Sequence, residues 1–331
     1  MASAETAAPA ATLAPEPTNA PEPASVPGTT DDPSQEFLYE NGRRFANPKF
    51  KSSYTMPNDE PEFARLDRQH EQFCFMFGGE LGRAPLVKEE VKTVVDLGTG
   101  TGIWATDFAK KYPDAKVIGI DITPVQVTEK TPANCTFQLA DFTAASTWEA
   151  YPPASFSYIH GRMIAVGVRS WSALARQCYD ALAPGGWVEI QELSFPLRCD
   201  DGSASPDGPM LQWSANMIAG GAAFGVDMTG SRYFPDALVS AGFEDVTLKP
   251  YQWPNNPYSS DPVLKAIGES QQHNFKNGLE GFSVGLFTKG LGWSKEKTDK
   301  FLGEVREVIS DTRQHVYMPM LVMYGRKPLA K

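Results

Sequence analysis

Apolar positions in residues 91–193 follow two rhythms in turn. Short runs at 91–97, 116–121, 136–140, 157–160 and 187–193 carry clustered apolar residues and read as strands, and Val94, Val95 and Leu97 in the first suit a strand covered on both faces. Residues 104–112 and 170–182 instead repeat at about 3.6 and read as helices. Such alternation predicts an α/β protein with a mostly parallel sheet and helices on both faces. Ahead of it, residues 62–77 place Phe63, Leu66, His70, Phe73 and Phe77 at helical spacing, predicting a helix packed on the main domain. After Leu193 the pattern is irregular until a helix at 233–241, which Gly242 should stop. Residues 244–249 and 316–325 read as strands six and seven. The segment 251–314 between them carries helical stretches at 263–277, 284–291 and 295–311. These readings divide the chain into a disordered Ala/Pro-rich tail (1–35), a leader (36–90) and a main domain (91–331). Insertions at about 194–231 and 251–314 are taken as a substrate cap.

The first strand runs into V-V-D-L-G-T-G-T-G at 94–102. Gly98, Gly100 and Gly102 remove the Cβ atoms that would strain the turn or keep a ligand from the backbone, and the free N–H groups of the following helix point back at it. A dinucleotide site calls for G-x-G-x-x-G, and an acid before the first glycine would repel pyrophosphate. Here the spacing is G-x-G-x-G, and Asp96 suits the ammonium of an amino-acid moiety. That favours S-adenosylmethionine over NAD. The second strand ends at Asp121, followed by Ile122, where a carboxylate can accept both ribose hydroxyls. The third leads to Asp141 and Phe142, an acceptor for the adenine amino group and a ring to cover the base.

Through D-L-G-T-G-T-G, G-I-D and A-D-F in that order, then F-S-Y-I-H at 156–160 and L-A-P-G-G-W-V-E-I-Q-E at 182–192, the chain resembles the class I S-adenosylmethionine-dependent methyltransferases. The resemblance implies a Rossmann-like fold with a seven-stranded sheet and an antiparallel last strand. A narrower likeness is to the fungal LaeA-like group, carried by E-N-G-R-R-F at 40–45 and by Tyr54, Pro57, Asp59, Glu60, Arg65 and His70. That group contains both enzymes of specialised metabolism and regulators of it. The likeness implies that Tyr54, Arg65 and His70 of the leader approach the cofactor. Gly161-Arg162-Met163 stands where the family commonly has I-R-N.

Composition narrows the partners. With 331 residues, 41% of them hydrophobic, the chain can build one large core, while a net charge of −10 disfavours nucleic acid and anionic membrane. Four cysteines show neither metal spacing nor disulfide density, so no metal and a reducing compartment, cytoplasmic or nuclear, are expected. No run of about 18 apolar residues predicts a membrane span.

The leading reading is a methyltransferase for a small-molecule acceptor, and the alternative is a regulator acting through protein partners. A nucleotide-dependent oxidoreductase ranks third. His160, at the carboxyl edge of the fourth strand, is the first candidate for a general base and also for packing against the cofactor; His273 is the second base candidate. Thr99 and Thr101 either bond the cofactor's amino-acid end or only compact the turn. Arg162 either pairs with a carboxylate of cofactor or substrate or belongs to the surface. The insertion aromatics, among them Trp213, Trp253, Phe275 and Phe287, are read chiefly as core of the cap.

Overall fold

The computed structural model describes residues 38–40, 43–45, 57–125 and 128–330. The tail at 1–35 and Tyr54 lie outside the described residues. A short hairpin, β1 (Leu38–Glu40) and β2 (Arg43–Phe45), precedes the leader helix α1 (Glu60–Met76), whose first turn Asp59 caps by accepting from the Glu62 N–H. The main domain then runs β3 (Thr93–Leu97), α2 (Ile103–Lys111), β4 (Lys116–Asp121), β5 (Cys135–Leu139), α3 (Ala145–Glu149), β6 (Phe156–Arg162), α4 (Trp171–Ala181) and β7 (Leu182–Leu193). It continues with α5 (Pro209–Ala223), α6 (Phe234–Ala241), β8 (Glu244–Pro254), α7 (Pro262–Gly285), α8 (Lys295–Ile309) and β9 (Tyr317–Arg326).

Seven strands form one sheet in the order β5-β4-β3-β6-β7-β9-β8, with β9 antiparallel to both neighbours. The expected α/β class and antiparallel last strand are both present. The period of two sorts the strands' side chains between the faces. Val95, Leu97, Ile159, Leu321 and Met323 pack under α4 and α6. Val94, Val117 and Tyr158 pack under α2 on the opposite face. On that same face, Met320, Val322 and Tyr324 meet a second core built by Trp213 of α5, Phe275 and Leu279 of α7, Leu302 and Val305 of α8 and Phe73 of α1.

Three expectations change. The segment after β7 is not irregular, because α5 occupies it. Its sequence, P-M-L-Q-W-S-A-N-M-I-A-G-G-A-A, has apolar or small residues on every side, so no polar face marks the helix. The stretches read as separate helices at 263–277 and 284–291 are one helix, α7, running into a π-helical turn at Leu286–Gly290. Strand six continues to Pro254, past the predicted 249, because β9 pairs with it along its length.

The chain between leader and sheet is pinned from below. Glu189, fully buried on β7, accepts from the N–H groups of Arg83 (2.9 Å) and Ala84 (2.6 Å) and from the Tyr158 hydroxyl (3.1 Å). Gln191 Nε2 adds a fourth donor at 2.8 Å, so the buried carboxylate is satisfied rather than stranded, and it fixes where α1 enters the domain.

Candidate cofactor and acceptor site

The carboxyl ends of β3, β4 and β6 open into a single cavity. It is lined by Asp96, Gly98, Thr99, Gly100, Thr101, Trp104, Asp121, Ile122, Thr123, Asp141, Phe142, Thr143, His160 and Arg162, by residues of the β6–α4 loop, and by Pro57, Asn58, Phe63, Leu66 and Gln69 of the leader. This is the edge of an open α/β sheet where ligands collect. Of the predicted cofactor residues among those described, all but Gly102 line it; Arg65 and His70, which the likeness brings toward the cofactor, are not among its walls.

The glycine turn needs its glycines. Gly98, Gly100 and Gly102 have φ of 64°, 60° and 79°, in the left-handed region. A Cβ on Gly102 would lie 2.5 Å from Phe137 Cζ, and one on Gly98 would lie 2.9 Å from Ile164 Cγ2. Over Gly100 sits Leu66 of α1, so the leader closes directly on the turn. Thr101 donates to Asp67 of α1 at 2.6 Å, and Thr99 donates to Asp96 at 2.6 Å. Both threonine hydroxyls are thus engaged within the protein, which favours their role in compacting the turn.

Asp96 is 3% exposed and His160 0%, and the two pair through Oδ1 and Nδ1 at 2.7 Å. Parallel pairing of β3 with β6 sets these two residues side by side. Trp104 stacks on the imidazole at 3.6 Å between ring centroids with planes 4° apart. His160 Nε2 is buried and has no hydrogen-bond partner among the described residues. Clamped in this way, His160 orients Asp96 and does not present a nitrogen to an incoming acceptor. His273 is not at the cavity at all: it is exposed on α7, where Asn277 Nδ2 lies 2.7 Å from its Nε2.

Asp121 accepts from the Gly100 N–H and the Thr123 N–H, both at 2.8 Å, and burial pushes its carboxyl up to about 6. Its folded value therefore lies above the ordinary 3.8. The ligand-free protein should lose stability as pH rises from about 4 to about 6, since ionising the folded-state carboxyl is the harder step. A ligand donating hydroxyls to Asp121 favours the ionised form, so its affinity should rise across the same window. Denaturant unfolding and ligand titration at about pH 4 and about pH 6 check both slopes; Asp121→Asn should flatten the affinity slope and reduce the stability slope, the remainder of which comes from the raised Glu192 carboxyl.

Asp141 Oδ1 accepts from the N–H and hydroxyl of Thr143, at 2.8 and 2.7 Å, which fixes the carboxylate at the cavity wall beside Phe142. The β6–α4 loop is held by Glu192, whose Oε1 accepts from the N–H groups of Ile164 (2.5 Å) and Ala165 (2.8 Å). Burial pushes that carboxyl up to about 8.

Sequence reasoning did not assign site roles to Trp104, Glu192 or Gln69. Trp104 follows the last glycine by two positions, a spacing that places it on the first helical turn and could have been read. Glu192 carried no such signal, because its role depends on a loop folding back upon β7. The expected cap does not line the cavity: no residue of 194–231 or 251–314 is among its walls, and the leader covers it instead. The insertion aromatics form the core of their own body, with Trp213, Trp253, Phe275 and Phe287 all buried. Among the described residues no cluster of His, Cys, Asp or Glu could hold a metal, and no helix is long and apolar enough to cross a membrane.

A methyltransferase-domain family profile matches residues 68–248. The chain is 33% identical over 295 residues to the methyltransferase pytC of Aspergillus terreus, covering 89% of each. It is 32% identical over 296 residues to the probable methyltransferase tdiE of Emericella nidulans, covering 89% of this chain and 90% of that one. It is also 32% identical over 310 residues to the secondary metabolism regulator LAE1 of Cochliobolus heterostrophus, covering 89% and 97%.

Proposed function

Because the chain belongs to the methyltransferase-domain family, we propose that its cavity binds S-adenosylmethionine and transfers the methyl group to a small-molecule acceptor of specialised metabolism. The observation that carries the cofactor reading is the pairing of charges at the cavity floor. Asp96 and Arg162 line the same cavity, a carboxylate and a guanidinium, and an amino-acid zwitterion needs a partner of each sign. Arg162 is in place because β6 extends two residues past His160, which puts His160 and Arg162 on one side of the strand.

In this reading Asp96 takes the ammonium and Arg162 the carboxylate of the methionine end, Asp121 and Ile122 the ribose, and Asp141 and Phe142 the adenine. The glycine turn keeps the cavity open: a Cβ at Gly98 would crowd Ile164 and Phe142 of its wall, while one at Gly102 would clash with Phe137 behind the turn. Bound there, S-adenosylmethionine supplies a sulfonium methyl group for in-line displacement. This chain's residues orient the reactants and exclude water. With His160 clamped and His273 elsewhere, the rate enhancement rests on positioning, which can supply about 7–11 kcal/mol without a general base. Phe63, Leu66 and Gln69 of α1 close the side on which an acceptor would approach.

Calorimetric titration of the purified chain with S-adenosylmethionine and S-adenosylhomocysteine tests this directly, and an intact fold that binds neither overturns it. Similarity to LAE1 supports a second reading, regulation through protein partners. Metabolite profiling of a deletion strain separates the two. One accumulated precursor lighter than its product by a methyl group indicates a pathway enzyme; loss of many unrelated products indicates a regulator.

A further inference from the structure

Three elements distant in sequence meet in a line that runs from the surface to the cavity. Asp107 projects from α2, His70 is buried on α1, and Arg162 ends β6. Asp107 Oδ2 lies 3.2 Å from His70 Nε2, and Arg162 Nη2 lies 2.9 Å from His70 Nδ1. A guanidinium can only donate, so Nδ1 must be the acceptor and the imidazole proton must sit on Nε2, where Asp107 accepts it. One neutral tautomer satisfies both contacts. Burial and the neighbouring Arg162 charge both lower the His70 pKa, which keeps that neutral form in place, although Asp107 and Asp96 pull the other way. Cys74 Sγ lies 3.5 Å from Nε2. Phe73, three residues on, presents its ring to the guanidinium at 5.0 Å and closes that side with an apolar wall.

We infer that His70, with its tautomer set by Asp107, is a positioning residue for Arg162, so that docking of the leader helix completes the carboxylate-binding end of the cavity. The inference rests on the cofactor reading above and adds to it a coupling between α1 and the ligand. The same face of α1 carries Leu66 over Gly100 and Asp67 on Thr101, one turn before His70. A leader helix that moved off α2 would therefore uncover the glycine turn and release Arg162 together. Among the described residues the guanidinium hydrogen-bonds His70, and Arg162 also lines the cavity.

The test compares two ligands that differ only at the end Arg162 reads. S-adenosylhomocysteine carries the amino-acid carboxylate, whereas 5′-methylthioadenosine keeps the adenosine and thioether without it. By calorimetry on the full chain, His70→Leu should bind S-adenosylhomocysteine about tenfold more weakly, the scale of a hydrogen bond to a charged group, with 5′-methylthioadenosine unchanged within about twofold. His70→Asn, whose amide oxygen can stand near the place of Nδ1, should recover most of the loss. Asp107→Ala, at a part-exposed helix position, should give an intermediate loss of about threefold for the same ligand alone. Equal weakening of both ligands by His70→Leu would reduce the helix to a simple lid and overturn the relay, as would no change in either. A wild-type chain that binds neither ligand overturns the cofactor reading and the relay with it.

Discussion

Replacing Asp96 by Asn should weaken S-adenosylmethionine binding by roughly 10- to 100-fold while leaving the protein folded. The amide is nearly isosteric, its oxygen can still accept from His160 Nδ1, and its nitrogen can donate to the Thr99 hydroxyl. Only the charge is lost. Arg162 then has no anion beside it, and the ammonium and sulfonium of the ligand lose their counter-charge in a site shielded from water, where such attraction is strongest. Asp96→Ala removes the contacts as well and should cost more than the Asn variant in both affinity and stability. Calorimetry beside a denaturation curve separates the two effects. An Asn variant that binds within twofold of wild type would show that Asp96 serves only to hold the turn.

The second large effect is structural. Trp104→Ala should destabilise the fold by about 3–5 kcal/mol, the range for deleting a buried aromatic. The indole is 2% exposed, stacks on His160 and on Phe108 at 4.7 Å, and donates from Nε1 to the Leu81 carbonyl at 3.0 Å. Its removal leaves a cavity under the site and an imidazole free to turn away from Asp96, while the Leu81 carbonyl keeps Gln191 Nε2 as its remaining donor at 3.1 Å. Ligand affinity should fall with stability. Trp104→Phe keeps a stacked ring and loses the indole donor, so about 1–2 kcal/mol is expected for it. Urea unfolding of the three proteins measures the series, and a loss below about 1 kcal/mol in the Ala variant would contradict the packing described.

Much of this architecture is legible from residues close together in the chain. The turn at 98–102, Asp121 and Asp141 each stand at the end of an apolar run, and a parallel sheet brings such ends to one edge whatever lies between them. The seven-stranded sheet and its antiparallel last strand followed from family resemblance, and the boundaries shifted mainly where a neighbouring strand prolonged the pairing, as at β8. Helix α5 escaped notice because periodicity detects one apolar face against one polar face, and a helix buried on several sides lacks that contrast. The cap was misplaced for a related reason. Length and aromatic content identify an insertion with its own core, but they carry no direction, and this one packs on the sheet at β9 instead of over the cavity.

The amino-acid sequence by itself determined the fold class, the glycine cradle and the three acids along one edge, since each depends on local backbone preference or on the period of a single element. Tertiary structure alone decided what covers the cavity and what the histidines do. His160 is clamped between Asp96 and Trp104, His70 bridges α2 to Arg162, and His273 lies outside. An imidazole becomes a base, a strut or a surface group according to which partners its two nitrogens meet. For His70 and His160 those partners come from residues 37 to 92 positions away only when α1, α2, β3 and β6 pack together.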